Sequence, residues 1–168
     1  MGFDTKIVTK YFAWALDTAR EARLSMLSDC PLFKGVSRRR LRKILIDLVE
    51  KKYKAGDTIF HERESGMAIY FILEGAVKIM KKLGSEDKTL CVLGPSCHFG
   101  ELALIGHTSR FATAVAEKDT LLLIMYKSYF DDLVRSNNAA ATKILLNVAA
   151  VLSDYIHHQP ESDDKTAP

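Results

Sequence analysis

The chain has 168 residues, 48% of them hydrophobic and 27% charged, with a formal net charge of +3. That is the composition of an ordinary globular protein, long enough for one domain with a sizeable core and an added helix. Mild basicity does not by itself argue for nucleic acid, no apolar run reaches the ~18 residues of a membrane span, and Cys30, Cys91 and Cys97 lack the spacing of a disulfide frame or a zinc site, so they read as free thiols in a reducing cytoplasm.

At the N-terminus, Asp4 and Lys6 interrupt any signal-peptide core, and Lys6 stands where a myristoylation motif needs Ser or Thr. Residues 7–28 read as a helix, with Phe12, Leu16, Ala19 and Arg23 on one face and Tyr11 and Trp14 widening the apolar arc. Residues 1–29 are expected as a helical extension, ended by Ser28-Asp29-Cys30-Pro31, ahead of a domain over 30–157. Ser37 is an N-cap candidate for a second helix over 38–50, with Leu41, Ile44, Leu45 and Leu48 as its apolar stripe. The basic run Arg38 to Lys43 reads as that helix's solvent face, since neither a recognition helix nor interleaved aromatics accompany it.

From Lys51 the period changes to two. Eight short strands follow, at 52–54, 58–61, 68–74, 76–82, 89–93, 97–99, 112–117 and 120–126. Gly-containing turns at 55–57, 64–66, 74–75, 84–87 and 94–95 separate them. Strands at this spacing, with no helix between most of them, predict a mainly β fold with flanking helices, an eight-stranded barrel or jelly roll with a concave interior.

After Tyr126 the pattern is helical again. Ser128 is a cap candidate for a helix to about Arg135, and Asn137-Asn138 reads as a turn. Residues 139–157 read as a long helix with two apolar faces: Ile144, Val148, Val151 and Tyr155 on one, and Leu145, Ala149, Leu152 and Ile156 on the other. Two such faces exceed what one sheet surface can cover, so one is expected to face water or a second copy of the chain. Residues 158–168 are polar and expected to be disordered.

The most specific signal lies at 99–115. It sets one carboxylate, Glu101, and one guanidinium, Arg110, nine residues apart, with a short apolar turn and a loop between them. This arrangement suits a small ligand carrying hydroxyls at one end and a negative charge at the other. Glu101 would accept from a ribose 2′-hydroxyl, and Arg110 would contact a phosphate. Gly100 lets the backbone approach closely, and the amides that open the 101–105 turn, including those of Leu102 and Ala103, would face the anion. Ala112 can add its amide, and Thr113 is either a strand residue or a further neighbour of the phosphate.

Phe99 to Ile105, resumed at Arg110, Ala112 and Thr113, resembles the phosphate-binding cassette of the cyclic nucleotide-binding domain family. That family includes protein kinase A regulatory subunits, the catabolite activator protein and cyclic-nucleotide-gated channels. Gly56-Asp57 and Tyr70 to Gly75 extend the resemblance to roughly residues 30–156. It implies a cyclic nucleotide sensor that catalyses nothing, with C-terminal helices acting as a lid and an apolar residue of the last helix capping the purine; Leu145 and Val148 are the candidates. Phe111 departs from the pattern. Family members that prefer cyclic GMP carry a hydroxyl there, so the resemblance favours cyclic AMP. The implied output is a homodimer or a protein effector, with no nucleic acid or membrane segment.

Other chemistries find little support. His61, His98, His107, His157 and His158 lack the spacing of a cupin metal site, and no group supports nucleophilic catalysis. Two further readings keep the fold and change the role: an interaction scaffold that has lost its ligand, and a transcription regulator without its DNA-binding part.

Overall fold

The computed structural model describes residues 5–84, 86–106, 109–136 and 138–157, without the side chains of 5–15, 155 and 156. Helix α1 (Thr5–Asp29) leads through a 3-10 turn (Pro31–Phe33) to α2 (Arg38–Ile46). Eight strands follow among the described residues: β1 (Val49–Tyr53), β2 (Thr58–Phe60), β3 (Ala68–Glu74), β4 (Val77–Leu83), β5 (Glu86–Leu93), β6 (His98–Phe99), β7 (Thr113–Ala116) and β8 (Thr120–Tyr126). Helices α3 (Lys127–Arg135) and α4 (Ala139–His157) close the chain.

The strands form two antiparallel four-stranded sheets, ordered β1-β8-β3-β6 and β2-β7-β4-β5. This is the double-sheet form of the expected fold, a jelly roll and not a continuously hydrogen-bonded barrel. The inner strands of the first sheet, β3 and β8, are covered on both faces. Ile69, Phe71 and Leu73 of β3, with Leu123 and Met125 of β8, pack against the helices. Ile72 and Leu122, the alternate residues, pack with Phe60, Val77, Ala114 and Ala116 between the sheets. That double burial explains why β3 and β8 read as nearly continuous apolar runs and not as clean alternations. The outer strand β5 is exposed along most of its length.

The helices depart from the sequence expectation in four places. Helix α2 stops at Ile46 and not near Glu50, because Val49 and Glu50 pair with Ile124 and Leu123 in β1. Ser37 does stand at the N-cap of α2, but its side chain makes no cap bond; its carbonyl takes the Arg40 and Leu41 amides. Helix α3 begins one residue before Ser128, with Tyr126 at its cap. Among the described side chains of α1, Leu24 and Leu27 are buried while Leu16 is 70% exposed, because it is the last turns that pack into the core. The side chains of Tyr11, Phe12 and Trp14 lie outside the described residues, as do Asn137 and 158–168.

Helix α4 buries Ile144 and Val148 against Leu32, Phe33 and Val36. Asn147 fastens it further, donating from Nδ2 to the carbonyls of Leu32 at 2.8 Å and Lys34 at 3.0 Å. On its second apolar face Leu145 and Leu152 pack partly on the core, Ala149 is exposed and Ile156 lies outside the described side chains; among the described residues of α4, Leu146 is a large side chain left exposed. Among the described residues no helix is long and apolar enough to cross a membrane.

Glycine is required at the β3–β4 turn. Gly75 has φ +88°, and a Cβ there would strike the Asp119 carbonyl and come within 2.5 Å of Thr120 Oγ1. Thr120 is itself buried and ties Ala76 and Lys118 together through its hydroxyl. Gly56 has a similar φ of +90° but open space around it. Both Ala substitutions meet the φ penalty of ~1–2 kcal/mol. Gly75→Ala should cost a further ~1–3 kcal/mol from overpacking. Urea unfolding of the two variants measures the difference; equal losses would contradict this account of the turn.

Candidate functional site

The site begins where β6 ends. Gly100 takes φ +78° and turns the chain into a 3-10 turn, Glu101–Leu104. The turn is held by backbone bonds from Ala103 N to Gly100 O and from Ile105 N to Leu102 O, both 3.2 Å. It buries Ala103 and Leu104 and also Glu101, which is only 5% exposed. His107 and Thr108 lie outside the described residues.

The chain returns at Ser109 and Arg110, pinned to the 63–65 segment. Arg110 N donates to Glu64 O at 2.7 Å, Arg63 N donates to Arg110 O at 2.8 Å, and Ser109 bridges Ser65. Arg110 therefore points inward and is 7% exposed. Its Nη1 donates to Gly100 O at 3.2 Å and its Nη2 to Ala68 O at 2.8 Å. Nε is buried without a partner. Burial pushes its pKa down; the Tyr70 phenol beside it and, more weakly and at a distance, Glu101 and Glu64 act the other way. A guanidinium remains charged even so. Gly100 is needed beside it, since a Cβ there would lie 2.6 Å from Arg110 Nη1.

These residues line one cavity of about 690 Å³ between the sheets, the turn and α4. That falls within the ~300–1,000 Å³ range of small-molecule sites. Glu101, Ser109 and Arg110 supply its polar end. Ile79, Leu90 and Leu93 from β4 and β5, with Leu152 from α4, supply apolar wall. Such a chamber can hold a flat apolar group while fixing one anionic and one hydroxyl-bearing end.

Of the residues expected at the site, Gly100, Glu101, Leu102, Ala103, Arg110, Phe111 and Ala112 all line this cavity. Thr113 does not; it opens β7, and its Oγ1 accepts from Glu62 N at 3.0 Å. Phe111 lies at the rim, 56% exposed, with Lys81 Nζ 3.3 Å from its ring centroid. It leaves the cavity open. Neither expected cap residue reaches the wall: Val148 is sealed in the helical core, and Leu145 packs against that core. Leu152, two helical turns beyond Leu145, is the α4 residue that lines the cavity, and the i, i+7 repeat was the signal that could have found it. No group of three or more metal-ligating side chains occurs among the described residues.

His98, which also lines the cavity, meets the buried thiol of Cys30, with Sγ 3.5 Å from Nδ1. Burial pushes the thiol up to about 11 and the imidazole below its ordinary 6.5. The native state therefore holds His98 neutral, while the unfolded chain takes up a proton as pH falls below 6.5. Stability from this group is full above that pH and is lost as pH drops through it. His98→Gln should flatten the acid-side decline of unfolding free energy between about pH 6.5 and 5. An unchanged slope in urea titrations would contradict the assignment.

Comparison with known proteins bears on this geometry. The model of the cyclic nucleotide-binding domain matches residues 50–137. The Cyclic AMP receptor protein of Thermus thermophilus is 33% identical over 128 residues, 76% of this chain and 57% of that protein. Human cGMP-dependent protein kinase 2 is 29% identical over 145 residues, 77% of this chain and 19% of the kinase. The chain thus spans only part of these relatives. The solved regulatory domain of Toxoplasma gondii PKA with cAMP superposes with a TM-score of 0.67 at 27% identity, covering 75% of this chain and 47% of that one.

Proposed function

The chain belongs to the cyclic nucleotide-binding domain family, and from that premise we propose that it is a cytoplasmic sensor of cyclic AMP that catalyses nothing. One observation carries the reading. Arg110 is a buried cation at the cavity wall whose hydrogen-bond partners are neutral carbonyls and whose Nε has no partner at all. Burying a charge without a counter-charge is costly. A cyclic phosphate drawn into that corner supplies the missing anion. Glu101, buried in the same cavity, accepts from the ribose 2′-hydroxyl, and the amides of the 101–104 turn and Ala112 complete the anion site.

The base then lies along the apolar wall, with Leu152 as its cap. Phe111 offers guanine no hydrogen bond, which favours adenine over guanine. Ligand binding acts by population shift: the cassette tightens on the phosphate, and α3 and α4 re-dock as a lid. The output is read by a second copy of this chain or by an effector protein, on the outer side of α4 where Leu146 is exposed.

Calorimetric titration tests the reading. Arg110→Ala should weaken cyclic AMP binding by about 2–5 kcal/mol, because the phosphate is left desolvated without its partner. Binding equal to wild type would sink the anion assignment. Cyclic AMP should outbind its 2′-deoxy analogue by about tenfold, the worth of one hydrogen bond to a charged group, and Glu101→Gln should shrink that gap. Phe111→Thr should raise cyclic GMP affinity more than cyclic AMP affinity. A wild type that prefers cyclic GMP would overturn the base assignment.

A further inference from the structure

The anion end of the cavity holds a group of aromatic side chains around Arg110, of which Phe60 and Phe99 also line the wall. Behind the Arg110 guanidinium stand three rings. The Phe60 ring centroid lies 4.1 Å from its carbon, and that of Tyr70 lies 5.5 Å away. Phe99 stacks on Tyr70 at 5.1 Å with 10° between the planes, and Phe60 is tilted against both at 5.6 and 5.8 Å. The rings come from three strands in two sheets: β2, β3 and β6. Among the described residues, no carboxylate stands within ion-pair distance of Arg110.

The distinction between ring and carboxylate matters. A carboxylate would hold the guanidinium firmly but would neutralise it and compete with any incoming anion. Aromatic faces attract the cation through their quadrupole and define the plane in which it lies, while leaving its charge uncompensated. The two carbonyl bonds fix only the Nη groups. Packing over the Phe60 ring, with the Tyr70 ring and its hydroxyl alongside, is what remains to set the tilt of the plane.

We propose that Phe60 and Tyr70, braced by Phe99, are the positioning residues of the phosphate site, holding Arg110 ordered and un-neutralised before ligand arrives. The inference rests on the reading of Arg110 as the phosphate contact. Its first consequence, however, is visible without ligand.

The test follows the Arg110 Nε–H resonance in the 15N-labelled, ligand-free protein, assigned by its loss in Arg110→Lys. In wild type the signal is ordered and displaced by the ring currents. Phe60→Leu should return it toward the free-arginine position and lower its order, whereas Phe60→Tyr, which keeps the ring, should preserve both. In the binding arm, Phe60→Leu should weaken cyclic AMP by about tenfold, and Phe60→Tyr by less than about threefold. In the Arg110→Lys background the Phe60→Leu effect should shrink to less than about twofold, because the stacked partner is gone. If Phe60→Leu melts the domain, Tyr70→Leu is read in its place. An unchanged Nε–H signal in the ring-deleted variant, or an equal loss of affinity in both backgrounds, overturns the proposal. A wild type that binds no cyclic AMP yet shows the ring-dependent signal contradicts the functional reading and leaves the positioning intact.

Discussion

One buried guanidinium organises this molecule's site. Arg110 is reached from three directions: by the Gly100 carbonyl, by the Ala68 carbonyl and by the aromatic faces behind it. Each of these fixes something in the sequence. Gly100 has no side chain because Nη1 occupies the space, Ala68 starts the strand whose carbonyl accepts Nη2, and residues 63–65 clamp the backbone so that the side chain turns inward. A charge held this way, away from water and with neutral partners, is poised for an anion and is poorly explained as a stabilising element.

The first sheet connects that site to the helices through alternation alone. Tyr70 faces the guanidinium, while Phe71, the next residue, packs its ring 5.0 Å from Phe33 in the turn that α4 covers. On β6, Phe99 faces the site while His98 meets Cys30 at the end of the helical segment. Neighbouring residues of two strands thus touch the cassette on one side and the helical layer on the other. This short path gives the proposed lid movement a material basis. Asn147, which ties α4 to the Leu32 and Lys34 carbonyls, sets the contact that such movement must carry along or break.

Much of this was legible in the sequence. The eight strands are marked by turn residues at nearly every junction, and the Glu101–Arg110 spacing survives because one tight turn and one loop fix it. What was not legible is tertiary in origin. Periodicity continues the α2 stripe to Leu48, yet pairing with β8 draws Val49 and Glu50 into a strand. Leu16 carries the period of a buried face, but nothing in a single sequence says that it stays exposed while Leu24 and Leu27 are covered. Helix α4 brings Leu152, and not Leu145 or Val148, to the cavity wall because helix phase relative to a cavity depends on how α4 docks on residues 32–36. The aromatic group behind Arg110 comes from strands far apart in sequence, and only topology brings it together.

The central claim is that Arg110 and Glu101 bind the two ends of one cyclic nucleotide. A crystal structure of the protein with cyclic AMP tests it most directly. The account predicts the cyclic phosphate in contact with the Arg110 guanidinium and the amides of the 101–104 turn, the ribose 2′-hydroxyl on Glu101, and the adenine against Leu152. A nucleotide whose phosphate lies away from Arg110, or a cavity still empty at saturating ligand, would contradict it.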